Sequence, residues 1–134
     1  MSGTAGNDRN RIRIYGGRVI DPANGIDTQQ DVYLADGRIA ALGSVPDGFE
    51  ADRQIDAGNC IVCPGLIDIA ARVREPGQEH KASIATESLA AASGGITTLC
   101  CPPDTEPVTD TPAVAELVRT RAEAAGKTRI VPLG

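Results

Sequence analysis

Aromatic side chains are scarce in this 134-residue chain, which has Tyr15, Tyr33 and Phe49 and no tryptophan. That leaves little flat surface for stacking on nucleobases or sugar rings. Basic residues are also outnumbered, with 13 Lys and Arg against 18 Asp and Glu and a formal net charge of -5. Because phosphate backbones and anionic bilayers are bound by clustered Lys and Arg, we expect neither nucleic acid nor a membrane as a partner.

Long apolar runs are lacking too. No stretch approaches the roughly 20 consecutive apolar residues that a transmembrane helix needs. Residues 1–10 are small and polar, lack the apolar core of a signal peptide, and are predicted to be a disordered lead-in. The remaining composition, 41% hydrophobic and 23% charged, is typical of a globular protein. We therefore expect a cytoplasmic protein.

Metal-binding side chains are few. The single histidine, His80, lies in a charged stretch, and one imidazole alone cannot build a metal site. Cys60 and Cys63 have the C-x-x-C spacing of zinc and redox sites, whereas Cys100 and Cys101 are adjacent. Residues three apart in a strand point to opposite faces, so we interpret all four cysteines as buried, reduced thiols.

Residues 11–63 have the pattern of short strands and tight turns. Asp36-Gly37 between two apolar runs is a strong hairpin signal, and Gly16-Gly17 and Ala57-Gly58-Asn59 mark further turns. Strands are predicted at 11–15, 18–20, 31–34, 38–42, 53–55 and 60–62. This pattern predicts an antiparallel β region that forms a small β-sandwich subdomain over residues 11–63.

Residues 64–134 alternate between strand and helix. Strands are predicted at 66–73, 96–101 and 129–133, with one helix over 83–93 and another that Thr111 caps and Gly126 ends. On the second helix, Glu116, Arg119, Arg121 and Glu123 are interpreted as the solvated face. The alternation predicts an α/β fold of parallel βαβ units. A (β/α)₈ barrel takes roughly 250 residues, so we expect the start of such a barrel in a truncated chain.

The stretch from Pro64 to Gly77 resembles the signature of dihydroorotases and related cyclic amidohydrolases. The likeness continues through the stretches 19–22, 78–81, 94–98 and 102–107. This resemblance implies a small N-terminal β-sandwich followed by the first βα units of an amidohydrolase (β/α)₈ barrel. In active members it also implies metal-dependent hydrolysis of a cyclic amide C-N bond, with dihydroorotases acting in pyrimidine biosynthesis.

The chain departs from this family where the resemblance implies metal ligands. Active members have His-x-His at the positions of Ala70 and Arg72. In a strand, two such histidines point the same way, and the metal they hold lowers the pKa of bound water. A methyl group cannot ligate, and a guanidinium stays protonated and repels a dication. We therefore expect no metal at these lost ligand positions.

Two further positions are expected to be a vestigial substrate site. The resemblance makes Arg74 the arginine that binds the substrate carboxylate, through a planar fork suited to that group. Asp104 stands where active members have an asparagine beside the substrate, and its charge would repel an acidic substrate. Asp68 could act as a catalytic base, although a structural carboxylate at a strand end is the simpler interpretation.

Arg72 could simply be a salt-bridge residue at a strand end, but a more specific role is also open to it. On a strand it would share a face with Asp68 and Ala70, so that it points into the space of the missing metal. There it could pair with acidic residues, expected beyond Gly134, and replace the metal as a structural staple.

Three functional hypotheses follow. The first is a non-catalytic dihydroorotase-like subunit without cofactor, which the resemblance implies is an oligomeric structural partner of the aspartate transcarbamoylase catalytic chain. The second is a working metal-dependent dihydroorotase or related cyclic amidohydrolase, with zinc held by later residues. The third is a barrel fragment with no independent function.

Overall fold

The computed structural model describes residues 10–133, and the chain divides into two compact units after Pro64. The lead-in predicted at residues 1–10 lies, except for Asn10, outside the described residues. No helix in the described range is long and apolar enough to cross a bilayer.

The first unit is built from two sheets. A four-stranded sheet has the order β5-β4-β1-β6, and a three-stranded sheet has the order β3-β2-β7. The strands are β1 (Ile12–Tyr15), β2 (Arg18–Asp21), β3 (Ile26–Gln29), β4 (Val32–Ala35), β5 (Arg38–Leu42), β6 (Arg53–Asp56) and β7 (Ile61–Val62).

The predicted hairpin at Asp36-Gly37 is confirmed. Strands β4 and β5 pair antiparallel, and Asp36 and Gly37 have φ angles of 51° and 72°, as a tight two-residue hairpin turn requires. A second hairpin joins β2 to β3 through a 3-10 turn at Pro22–Asn24. Strand β3 was not predicted from sequence, because Ile26 is its one apolar residue and the alternation signal is missing.

The expectation of a purely antiparallel region is wrong for β6 and β7. These strands do not form a hairpin; β6 pairs parallel with β1, and β7 pairs parallel with β2. The Ala57-Gly58-Asn59 turn passes the chain from one sheet to the other, as Gly16-Gly17 does between β1 and β2. Gly17 has no space for a side chain, since a Cβ there would lie 2.8 Å from Val62 and 2.9 Å from Ala57.

The second unit is α/β and confirms the parallel βαβ prediction. Its elements are β8 (Leu66–Asp68), α1 (Ile84–Ser93), β9 (Ile96–Cys101), α2 (Pro112–Ala125) and β10 (Arg129–Pro132). The sheet order is β10-β9-β8, with both pairings parallel. Thr111 caps α2 as predicted, and Ser83, which was predicted as the first residue of the first helix, is the N-cap of α1. The core between helices and sheet comprises Val73, Ile84, Ala91, Leu99, Cys101, Val118, Ala122 and Ile130.

The strand predicted over 66–73 is shorter, since β8 ends at Asp68. The Asp68 carboxylate accepts a hydrogen bond from the Ala70 N–H at 2.9 Å and bends the chain there. The Ala71 N–H then donates to the Cys100 carbonyl at 3.0 Å, which brings the segment back alongside β9. Residues 70 and 72 are therefore not on a regular strand face.

The burial predicted for the four cysteines holds in part. Cys101 is buried and Cys100 is partly buried, whereas Cys60 and Cys63 are exposed. The prediction is wrong for that last pair because β7 is a two-residue strand, and both cysteines lie just outside it.

Candidate functional site

The candidate site is formed by the segments that follow β8 and β9. Parallel strands have their carboxyl ends at one edge of a sheet, which is where α/β folds place ligand-binding residues. Residues 69–83 follow β8 and residues 102–111 follow β9. Together these two segments, called the rim here, carry the positions singled out from the sequence, Ala70, Arg72, Arg74 and Asp104, and also His80.

Arg72 and Asp104 meet across the rim. The Arg72 Nε atom donates to Asp104 Oδ2 at 2.5 Å, although the residues are 32 positions apart. The side chains are 59% and 42% exposed, so the pair faces solvent in the described residues. Acidic partners of Arg72 were expected beyond Gly134, and Asp104 is an acidic partner within the chain.

Backbone contacts also join the two segments of the rim. The Glu106 N–H donates to the Pro76 carbonyl at 3.0 Å. Gly77 has a φ of 102°, and a Cβ there would lie 2.4 Å from the Glu106 carbonyl oxygen, so a larger residue does not fit. Within the second segment, the hydroxyls of Thr105 and Thr109 are 2.7 Å apart and buried. The rim is therefore a preformed structure.

A carboxylate that sequence reasoning missed anchors the first segment to both helices. Glu75 Oε2 accepts from the Ile84 N–H, the first of α1, at 2.7 Å, and Glu75 Oε1 accepts from Arg121 Nη1 at 2.6 Å. The interpretation of Arg121 as part of the solvated face holds only in part, because its guanidinium pairs with Glu75 and lies 3.6 Å from Glu79, although the side chain is 40% exposed. The sequence offered one indication that Arg121 contacts the protein. It lies three residues after Val118, which is buried, and residues three apart are neighbours on a helix surface.

Arg74 and His80 lie on the same segment but outside the ion pair. Arg74 is partly buried with a left-handed φ of 62°, and its carbonyl accepts from the Gln78 N–H at 2.8 Å. His80 is exposed. Within the described part of the chain, an ion pair joins Arg72 to Asp104, and neither Arg74 nor His80 takes part in that pair.

The thiol of Cys101, the residue before the second segment of the rim, is unreactive, mainly because it is buried. Burial, with smaller contributions from Cys100, Asp68 and Asp104, raises the pKa of Cys101 to about 11. The thiol is therefore protonated at neutral pH, and a thiol in that form is neither a nucleophile nor a good metal ligand.

The side chains present do not fit the metal that the family resemblance implies at positions 70 and 72. Ala70 offers a methyl group, and the Arg72 guanidinium is a cation whose hydrogen bond goes to Asp104. Residues 10–133 contain no group of three or more His, Cys, Asp or Glu side chains arranged to hold a metal ion.

Comparison with known proteins gives consistent matches. The dihydro-orotase-like family model matches residues 58–134, more than half of the chain. A dihydroorotase-like protein of Pseudomonas putida is 50% identical over 92% of this chain and 29% of its own length. A dihydroorotase of Anaeromyxobacter sp. (strain K) is 46% identical over 90% of this chain and 28% of its own length. The chain thus spans less than a third of the relatives it matches.

Solved structures agree with the sequence relatives. The fold resembles that of an L-hydantoinase (dihydropyrimidinase) from Arthrobacter aurescens, with a TM-score of 0.73 and 28% identity. The match covers 83% of this chain and 24% of the hydantoinase. On the family match and these relatives together, this chain belongs to the dihydro-orotase-like family.

Proposed function

We propose that this chain is part of a non-catalytic dihydroorotase-like protein of pyrimidine biosynthesis, in the cytoplasm, that serves as a structural partner of the aspartate transcarbamoylase catalytic chain. The observation that carries the non-catalytic part is the Arg72–Asp104 ion pair. The resemblance assigns those positions to a metal ligand and to a substrate-binding residue, and here they bind each other at 2.5 Å.

Charge supports the loss of the reaction. Hydrolysis in this family needs water activated near neutral pH, and metal coordination supplies that activation. A guanidinium at position 72 repels a dication, and a carboxylate at position 104 repels an acidic pyrimidine precursor. Arg74 remains as a vestigial carboxylate-binding position.

The name of one relative points the same way. The Pseudomonas putida protein, 50% identical, is called dihydroorotase-like rather than dihydroorotase. A protein that has lost its chemistry but keeps an ordered rim and a packed core is retained, in this proposal, for assembly with another protein.

The shape of the second unit supports a larger fold. Both outer strands of its sheet, β8 and β10, have an unpaired edge in the described residues. Leu66, Ile67 and Ile69 in and after β8 are 57%, 62% and 76% exposed. Open parallel edges and exposed apolar side chains are normally covered by further βα units, so we propose that residues 64–134 begin a (β/α)₈ barrel.

The activity test uses the full-length protein with and without added zinc. We expect no ring opening or closing of dihydroorotate above the uncatalysed background in either condition. The partner test is co-purification from native extract, in which we expect an aspartate transcarbamoylase catalytic chain in stoichiometric amount. Recovery of the protein without that chain would contradict the partner role, even if the protein proved inactive.

A second candidate, a metal-dependent dihydroorotase or related cyclic amidohydrolase, is favoured by the relative called dihydroorotase at 46% identity. It requires metal ligands from parts of the protein other than positions 70 and 72. Turnover that zinc increases and a chelator abolishes would establish this candidate and reject the non-catalytic one.

A further inference from the structure

We propose that Asn24 is a site of spontaneous covalent modification, and that its conversion to aspartate or isoaspartate opens the β2–β3 hairpin by placing a second carboxylate beside Asp21. This inference is independent of the proposed function. Asn24 lies in the 3-10 turn between the two strands, and both it and the following Gly25 are exposed. Of the four asparagines in the chain, Asn24 alone is followed by glycine.

The reaction requires these two residues and water. The Gly25 backbone nitrogen gives its proton to solvent and attacks the side-chain carbonyl carbon of Asn24, Cγ. The bond from Cγ to Nδ2 then breaks, and that nitrogen takes up a proton and leaves as ammonia, which closes a succinimide ring. Water opens the ring at Cγ to give aspartate, or at the backbone carbonyl to give isoaspartate. Either product carries a negative charge where the amide was neutral.

The surroundings of Gly25 leave room for ring closure. Its φ is 66°, and nothing lies within 4 Å of the place that a Cβ would take, so no side chain hinders the approach of its nitrogen to Asn24. The Gly25 N–H donates to the Pro22 carbonyl at 3.3 Å, which is beyond the usual range of about 2.7–3.2 Å. This hydrogen bond is weak and is readily given up when the nitrogen reacts.

Asn59 provides a control within the same molecule. It is exposed, as Asn24 is, and it also lies in a turn, with a φ of 64°. The next residue, Cys60, carries a side chain, and its N–H donates to the Ala57 carbonyl at 2.8 Å, a hydrogen bond of ordinary length. Both differences slow ring closure at Asn59 relative to Asn24.

The contacts of Asp21 determine what the modification does to the fold. Asp21 Oδ2 accepts from Asn24 Nδ2 at 2.6 Å, and Asp21 Oδ1 accepts from the Ala23 N–H at 3.1 Å and caps the turn. An ionised carboxylate has no donor, so replacing the amide removes the first hydrogen bond and sets two negative charges against each other. Because Asp21 and Ile26 are the strand pair next to the turn, the hairpin frays from that end.

The first experiment follows the chemistry in the full-length protein, incubated at neutral pH and sampled over time. Peptide mass spectrometry measures how much Asn24 and Asn59 have been converted. We expect Asn24 to react at least about tenfold faster, which corresponds to a barrier lower by about 1.4 kcal/mol. Gly25→Ala should slow the reaction at Asn24, since it adds a side chain. Equal rates for Asn24 and Asn59 would overturn the proposal.

The second experiment measures the effect on the fold by hydrogen exchange of residues 19–30 in the full-length protein. Asn24→Asp has the same side chain as one of the two products. We expect the amides of its hairpin to exchange roughly fivefold faster, the factor given by about 1 kcal/mol of repulsion between charges about 4 Å apart in water. Asn59→Asp, the matched control, should leave exchange in this segment unchanged.

A swapped pair tests the cause of the faster exchange. In Asp21→Asn/Asn24→Asp, the amide at position 21 can donate to the carboxylate at position 24, and its oxygen can still cap the turn. We expect exchange to return to the level of the unmodified protein. Unchanged exchange in Asn24→Asp, or fast exchange that persists in the swapped variant, would overturn the proposed effect on the hairpin.

Discussion

The guanidinium of Arg121 lies 2.6 Å from Glu75 Oε1 and joins helix α2 to the segment after β8, across 46 positions of sequence. The Glu75 side chain is only 15% exposed, which makes this ion pair the least exposed one involving the rim. Because Glu75 also caps the first N–H of α1, one carboxylate fixes three parts of the second unit.

Arg121→Met is therefore expected to lower the free energy of unfolding by about 1–2 kcal/mol, since it leaves a largely buried carboxylate without its charged partner. The measurement is chemical denaturation of the full-length protein. Arg119→Met is the control, because Arg119 pairs with Glu116 at the surface and its loss should cost under about 0.5 kcal/mol. Equal costs for the two variants would contradict the anchoring role of Glu75.

Gly77→Ala is expected to destabilise the protein by more than about 2 kcal/mol. Its φ of 102° strains any L side chain, and the new Cβ would meet the Glu106 carbonyl oxygen at 2.4 Å. Gly95→Ala separates these two causes, because Gly95 has a φ of 79° but open space around it. Thermal denaturation should show the larger loss for Gly77→Ala; similar losses would mean that the contact between the two rim segments is loose.

Ser88→Ala is expected to cost about 1–3 kcal/mol. Ser88 is fully buried, and its hydroxyl accepts from the Thr128 N–H at 3.0 Å, so the variant leaves a buried donor unsatisfied. Ser93→Ala is the matched control on the same helix, as the Ser93 hydroxyl donates to the Leu89 carbonyl at an exposed position. Urea midpoints that fall equally for both variants would argue against a stabilising role for the hydrogen bond between Ser88 on α1 and Thr128, the residue before β10.

Thiol labelling of the native protein is expected to separate the cysteines by exposure. Cys60 and Cys63 should react with a maleimide rapidly, and Cys101 only after unfolding, since it is buried and the pKa of its thiol is raised to about 11. Mass spectrometry of labelled peptides gives the order directly. Fast labelling of Cys101 at neutral pH would show that the core around it opens readily.

The same pKa shift predicts alkaline weakening of the fold. The folded state holds the Cys101 proton more tightly than an unfolded thiol with the ordinary value of 9.0. Its contribution to stability is therefore unaffected below about pH 9 and declines as the pH rises from 9 to about 11. Denaturation of a Cys101→Ser variant should show a shallower decline across that range, and an unchanged slope would rule out this thiol as the cause.

Much of the second unit follows from local sequence. Ser83 and Thr111 begin helices because their hydroxyls accept from N–H groups that have no partner inside the helix. Gly126 ends α2 because it adopts a left-handed conformation at φ 61°. The apolar run from Ile96 to Cys101 then has to be a strand between two helices, and parallel pairing follows from that alternation.

The pairing of strands in the first unit was less predictable. The Ala57-Gly58-Asn59 turn looks like a hairpin turn, yet its two flanking strands join different sheets. Local sequence specifies that the chain turns, whereas the choice of pairing partner depends on which strand edge is free in the folded unit.

The sequence by itself determined the family, the order of elements in the second unit and the loss of imidazoles at Ala70 and Arg72. Tertiary structure alone decided that Arg72 meets Asp104 and that Glu75 binds Arg121, 32 and 46 positions away. The physical reason is that cap, turn and periodicity signals act within a few residues, whereas an ion pair between two segments depends on how the parallel strands align their ends.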